Sequence, residues 1–236
     1  CQYGEVGWFS EGLADVCLGD PYRGDKYGYI NKEGELVIPC RYTLAGAFIN
    51  GLAAVQQGGD IYGGGKWGFI DTTGKEVIPC EYDEVGSFDE NGLAWVGKYT
   101  GGSVTVGIKE VKTVKWGLID RTGKEIVACK YKDMESFSEG LAAVAVPSGS
   151  RNRYGYEGRK WGFVDTKGKE VIPCIYSRAT DFSDGLSVVM RGDADAGEEE
   201  FYGVIDTTGK AVIPFEYDMF FGFGADGYSL ISRKTG

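Results

Sequence analysis

Three observations predict an all-β fold built from tandem repeats. An aromatic-glycine pair recurs five times, at Tyr27-Gly28, Trp67-Gly68, Trp116-Gly117, Trp161-Gly162 and Tyr202-Gly203, so the copies lie 40, 49, 45 and 41 residues apart. Self-similarity at such a period marks a repeat architecture, in which one copy cannot bury its own apolar face and neighbours must cover it. Glycine makes up 39 of 236 residues, more than double the usual share of about 7% and without a Gly-x-y period. It is joined by 12 Phe, 5 Trp and 15 Tyr. That combination reads as many short strands joined by tight turns.

The elements follow in order along the best-preserved copy. Lys66 to Asp71 alternates with period two, which places Trp67, Phe69 and Asp71 on one strand face and Gly68 and Ile70 on the other. Gly68 is expected to admit a neighbouring backbone or ring at close range. Asp71-Thr72-Thr73-Gly74-Lys75 is a hairpin signal, and it recurs at Asp120–Lys124, Asp165–Lys169 and Asp206–Lys210, with Asn31–Glu35 as the first copy. The Asp or Asn opens the turn by bonding its own following backbone, and the Gly takes the left-handed position. Glu76-Val77-Ile78 is expected to be a short strand ended by Pro79, which has no N–H to donate. Leu93-Ala94-Trp95-Val96 is a third strand, and the stretch from Tyr82 to Phe88 is a short fourth strand or a crossover.

These residues resemble the bacterial WG-repeat family. The pattern KWGFID, GKEVIP, Y, F and GLA-x-V runs from Lys66 to Val96 and returns closely from Lys160 to Val189. Tyr replaces Trp at Tyr27 and Tyr202, and Phe201 stands where Lys is expected. The resemblance implies an all-β array. It supplies a fold more than an activity.

The whole chain, 1–236, reads as one array of roughly 40–45-residue antiparallel meander copies, at about 3–41, 42–81, 82–130, 131–175 and 176–216, with a partial copy at 217–236. The last copy lacks an aromatic-Gly hairpin after Gly227-Tyr228-Ser229-Leu230-Ile231. This favours an open solenoid-like array, with a closed propeller-like ring as the alternative. Length variation falls in one place, between the Gly-Leu-Ala strand and the next aromatic-Gly pair. The inserts are Gly58–Gly65, Gly97–Val114, Pro147–Arg159 and Arg191–Glu200, and one edge of the array should carry them all.

Five of the six cysteines, Cys1, Cys40, Cys80, Cys129 and Cys174, stand two residues before a Tyr. They are one structural position seen five times. The expectation is free thiols acting as small hydrophobes, which slightly favours a reducing setting. No Cys-x-x-Cys spacing and no His point to zinc. A chain that opens at Cys1 reads as a fragment or a processed form, and Cys1 could be the acylated residue of a lipoprotein. The compartment, cytoplasmic or cell-surface, stays open.

A net charge of −10 repels nucleic acid and anionic lipid heads. No apolar run reaches the roughly 18 residues of a spanning helix. With no His, Ser-His and Cys-His nucleophile systems are excluded. Asp71, Asp120, Asp165 and Asp206 read as turn residues, and Glu11, Glu90, Glu139 and Asp184 as loop residues. No catalytic residue, cofactor or metal is therefore expected. Two Arg-Gly-Asp tripeptides, at Arg23 and Arg191, fall in inserts and carry little weight in so Gly-rich a chain.

Trp67, Trp116, Trp161, Tyr27 and Tyr202 are expected to form the structural core of the repeats, so that removing Trp67 would cost roughly 3–5 kcal/mol. Aromatics outside the repeat pattern are the better pointers to a ligand: Tyr62, Trp95, Tyr99, Tyr154 and Tyr156. The expected function is a non-enzymatic scaffold that binds a protein partner through its insert loops. A cell-wall glycan held by the insert aromatics is the second reading, and a carboxylate glycosidase the remote third.

Overall fold

A computed structural model describes residues 3–20, 22, 24, 26–60, 63–106, 109–152, 157–220 and 231–232, and of 102–106, 109–111, 220 and 231 the backbone alone. The chain divides into two compact units, Cys1–Cys129 and Lys130–Gly236. Each is built from four-stranded antiparallel meanders laid down in chain order, none of which closes on itself.

The first sheet holds β1 (Glu5–Val6), β2 (Leu13–Cys17), β3 (Tyr27–Asn31) and β4 (Leu36–Tyr42). The second holds β5 (Leu44–Ala45), β6 (Leu52–Gln57), β7 (Lys66–Asp71) and β8 (Glu76–Tyr82). The third holds β9 (Glu84–Val85), β10 (Leu93–Val106), β11 (Lys109–Asp120) and β12 (Glu125–Tyr131). In the second unit, β13 (Asp133–Ser138), β14 (Leu141–Arg151), β15 (Glu157–Asp165) and β16 (Glu170–Tyr176) form the fourth sheet. The fifth is β17 (Arg178–Ala179), β18 (Leu186–Arg191), β19 (Phe201–Asp206) and β20 (Ala211–Tyr217). A two-stranded sixth sheet pairs β21 (Met219–Phe220) with β22 (Ile231–Ser232).

The aromatic-glycine and Ile-Pro-Cys motifs prove to be two halves of one device. In the second sheet Trp67 opposes Tyr82 and Phe69 opposes Ile78, so a two-residue step on β7 faces a four-residue step on β8. The surplus forms a bulge that arches over Gly68. A Cβ on Gly68 would lie 2.4 Å from the carbonyl oxygen of Ile78 and 2.7 Å from the Cys80 nitrogen, and the same collision arises at Gly28 and Gly162. Pro79 therefore does not end the strand, as its chemistry alone led us to expect; β8 continues to Tyr82. A residue without an N–H fits the unpaired bulge. Because the glycine has no side chain, the Cys80 thiol reaches across it to the Val55 carbonyl at 3.7 Å, and Cys40, Cys129 and Cys174 reach Val16, Val96 and Val144 in the same way at 3.9, 3.7 and 3.6 Å. These four thiols are free and half-buried rather than fully buried. Burial pushes Cys80 and Cys174 up to about 11, with Glu76 and Glu170 adding to the shift. Cys1 lies outside the described residues.

The hairpin turns behave as the sequence predicts. Asp71 Oδ1 accepts from the Thr73 N–H at 2.9 Å, the Thr73 hydroxyl at 2.6 Å and the Lys75 N–H at 3.1 Å. Asp120 and Asp206 repeat this with Thr122 and Thr208. The hydroxyl bond, more than any other influence, holds these three carboxyls below their ordinary range.

Successive sheets within a unit are locked by three recurring contacts. A phenylalanine from the loop after the first strand enters against the third-strand aromatic of the preceding sheet. Phe48 meets Tyr29 at 4.9 Å between centroids, Phe88 meets Phe69 at 4.8 Å, and Phe182 meets Phe163 at 4.8 Å. The turn glycine sits on the bulge isoleucine of the preceding sheet: a Cβ on Gly74 would lie 3.1 Å from Ile38, and Gly123 and Gly209 stand likewise on Ile78 and Ile172. Third, Glu11 accepts from the Gly51 N–H at 2.8 Å while Ser10 donates to the Phe48 carbonyl at 2.6 Å, an arrangement repeated by Glu139 with Gly185 and Ser138 with Phe182. Glu11, Glu139 and Asp184 take positive φ ahead of a positive-φ glycine, as a two-residue hairpin turn demands. The sequence marks Glu11 and Glu139 as loop residues; their role in joining sheets is visible only once the sheets are stacked.

Candidate functional site

The signature aromatic is not the centre of the core. Tyr27 is buried, whereas Trp67, Trp116, Trp161 and Tyr202 stay half-buried; the fully buried rings include Tyr29, Phe163, the loop phenylalanines Phe48 and Phe182, and the strand-end Tyr42, Tyr131 and Tyr176. The reason is register. The residue two places after the signature aromatic faces the partner phenylalanine of the following sheet, while the signature aromatic stands near the strand start, at the end of the sheet where the inserts emerge. There the rings of Trp161 and Tyr27 line two grooves, each at a seam between consecutive sheets.

The larger groove, about 740 Å³, lies at the seam of the fourth and fifth sheets. It is lined by Asp133 and Glu135 of β13, by Trp161, by Ser177, Arg178 and Ala179, and by two inserts. Asn152, Glu157, Gly158 and Arg159 come from the first insert, and Asp193, Ala194, Asp195 and Glu200 from the second. Six carboxylates thus face two guanidinium groups. Part of this wall is fixed internally. Arg159 pairs with Asp133, and Lys132 holds Glu157 at 3.2 Å. Asp193 caps the 3-10 turn Ala194–Ala196 and accepts from the Ser150 hydroxyl at 2.7 Å, the first cause of its lowered pKa. The second Arg-Gly-Asp tripeptide is therefore a structural brace between the two inserts. In the first tripeptide, Arg23 and Asp25 lie outside the described residues.

A smaller groove of about 600 Å³ occupies the equivalent seam of the first and second sheets, around Tyr27, Glu5, Leu44 and Tyr22. Tyr27 donates to Glu5 there at 2.5 Å.

Of the aromatics expected to contact a ligand, Tyr62, Tyr154 and Tyr156 lie outside the described residues. Trp95 and Tyr99 lie on one face of β10, each with its own set of neighbours. Trp95 is 36% exposed, lies over Gly86 and stands edge-on to Trp116 at 5.0 Å. Tyr99 donates to Glu84 at 3.2 Å and carries the Lys112 ammonium 4.8 Å above its ring. The inserts that hold these residues are partly folded: Gly97–Val114 and Pro147–Arg159 are drawn out as two-stranded ribbons, β10–β11 and β14–β15. The groove itself was not legible in the sequence. Its only signal is that charged residues, Asp133 and Arg178, stand where the second sheet has Leu44. Among the described residues no group of three or more carboxylates and thiols is placed to hold a metal ion, and no helix is long and apolar enough to cross a membrane.

Comparison with solved structures finds distant likenesses. A puromycin hydrolase shares 12% identity at a TM-score of 0.36, over 90% of this chain and 39% of its own. The tricorn protease shares 10% at 0.34, over 98% and 24%. A eukaryotic initiation factor shares 9% at 0.35, over 86% and 62%. The chain thus spans less than two thirds of each, and similarity this low transfers no activity. No curated protein sequence matches it. The model of the WG containing repeat, in contrast, matches residues 27–59, 67–99, 116–146, 161–193 and 202–233, so the chain belongs to the WG-repeat family.

Proposed function

We propose that this protein is a non-enzymatic interaction scaffold that binds a protein partner in the groove between the fourth and fifth sheets. The observation that carries the reading is the make-up of that groove: a repeat aromatic, Trp161, with a wall supplied mostly by two inserts and dominated by carboxylates. An aromatic anchor inside a charged rim is the usual anatomy of a recognition site. The excess of negative charge selects an extended segment rich in Lys or Arg. The non-enzymatic reading is supported by the carboxylates themselves, because Asp71, Asp120, Asp206 and Asp193 are committed to turns and braces.

Titration calorimetry with a lysine-rich peptide, a glutamate-rich peptide and soluble cell-wall glycans tests this. The lysine-rich peptide is expected to bind, more weakly as salt rises, and Trp161→Ala to weaken it about tenfold or more, the effect of losing a central aromatic anchor. Equal response to both peptides overturns the reading. Glycan binding that Trp161→Ala removes, with both peptides silent, favours the glycan alternative, for which a half-buried ring beside polar groups is also suited.

A further inference from the structure

The five four-stranded sheets differ at one pair of facing positions. Just after the first strand of the first three sheets stands a glycine, Gly7, Gly46 or Gly86. Its N–H donates to the carbonyl of a second-strand residue, Asp15, Ala54 or Trp95, at 2.8, 2.9 and 2.9 Å. In the first sheet the Asp15 carboxylate lies over Gly7, and in the third the Trp95 indole lies over Gly86; a Cβ added to either glycine would fall 2.1 or 2.2 Å from those side chains. The fourth and fifth sheets carry Glu135 and Thr180 at the glycine's place. Of these five, the second sheet alone sets a glycine against an alanine. A Cβ on Gly46 would meet only the Ala54 carbonyl, at 3.5 Å, and a pit of about 120 Å³ opens over it at the seam of the second and third sheets.

We propose that this pit binds one small, free aromatic molecule, whose ring lies over Gly46 as the Trp95 indole lies over Gly86. Phe69 and Phe88, 4.8 Å apart and tilted at 56°, wall it together with Leu52. Rings set at such an angle offer both a face and an edge to a third ring. Ala47, Ile49 and Ser87 stand exposed at its mouth. Ile49 takes the place from which Ser10 and Ser138 give a hydroxyl hydrogen bond to the following sheet, so the mouth is apolar on that side. The size is right for a single ring: an apolar cavity of about 150 Å³ walled by Leu, Ile and Phe takes up benzene. Among the described residues no charged side chain lines the pit, so nothing there holds a peptide that might carry the ring. The site lies within the first unit and shares no residue with the groove of the fourth and fifth sheets, so its test is independent of the partner-binding reading.

Amide NMR titration of the full chain with benzene tests it. The Gly46, Ala54 and Ser87 resonances should shift saturably. Cyclohexane should bind about tenfold more weakly, because it forms no edge-to-face pair with Phe69 or Phe88. Ala54→Trp rebuilds in the second sheet what the third sheet has, and should abolish the benzene response with circular dichroism unchanged. Ala54→Leu fills the same place with a smaller side chain and serves where the tryptophan variant does not fold. No saturable response of the wild type overturns the proposal. So does an undiminished response in either folded variant, an equal response to cyclohexane, or tighter binding of N-acetylphenylalanine amide than of benzene, since the ring would then belong to a peptide.

Discussion

Phe9 and Phe48 occupy the same place in two copies of one repeat, yet one lies half in water and the other is sealed beneath Tyr29. Nothing in their local sequence separates them: both stand between a short first strand and a positive-φ turn, at Glu11-Gly12 and Asn50-Gly51. The difference comes from the neighbour. In a stacked array the energy of a residue belongs to the seam rather than to the copy, which is why a single copy is not a stable entity and why stability is shared between adjacent copies.

The largest expected effect sharpens that contrast directly. Phe48→Ala and Phe182→Ala should each cost about 3–5 kcal/mol, the range for truncating a buried aromatic, while Phe9→Ala should cost a small fraction of that. Urea denaturation followed by circular dichroism reads the difference, and equal losses at Phe9 and Phe48 would break the comparison. Trp67→Ala belongs between them, because the half-buried indole loses less transfer energy than the 3–5 kcal/mol that the repeat pattern alone implies.

Next in size are the turn glycines. Gly34 and Gly74 both hold φ near 80°, so alanine at either carries the left-handed penalty of about 1–2 kcal/mol. Gly74→Ala must in addition displace Ile38, from which its Cβ would stand only 3.1 Å away, and Gly34→Ala displaces nothing. The Gly74 variant should melt lower than the Gly34 variant; identical melting temperatures would mean the isoleucine yields without strain.

The smallest effect is a pH dependence. Asp71, Asp120 and Asp206 have folded-state pKa values below the ordinary 3.8, chiefly through the threonine hydroxyl. A depressed carboxyl contributes stability that is fully present above its unfolded pKa and is lost as pH falls through the folded value. The second, third and fifth sheets should therefore weaken below about pH 3.8, while the first sheet's turn is capped by the amide oxygen of Asn31, which does not titrate. Asp71→Asn should flatten the acid limb of the melting curve slightly, and an unchanged acid limb would show that these exposed turns add nothing to acid stability.

Much of the local structure was written in the sequence because it rests on short-range chemistry. Asp-x-x-Gly-Lys turns, strands of alternating burial and a glycine that lets backbone pass above it all follow from neighbours in the chain. Pro79 and Trp67 were harder. The proline's place in a bulge depends on β7 lying alongside, and the tryptophan's partial exposure depends on where the next sheet begins. The groove was least legible, since Trp161, Asp133 and Asp193 are distant in sequence and meet only at the seam.

The sequence by itself thus determined the repeat, its turns and the chemistry it lacks, because periodicity and the absence of histidine are properties of the chain alone. The tertiary structure decided which identical residues are buried and which aromatics face a groove. Burial and charge density are sums over neighbours, and those neighbours are chosen by the stacking of one sheet on the next.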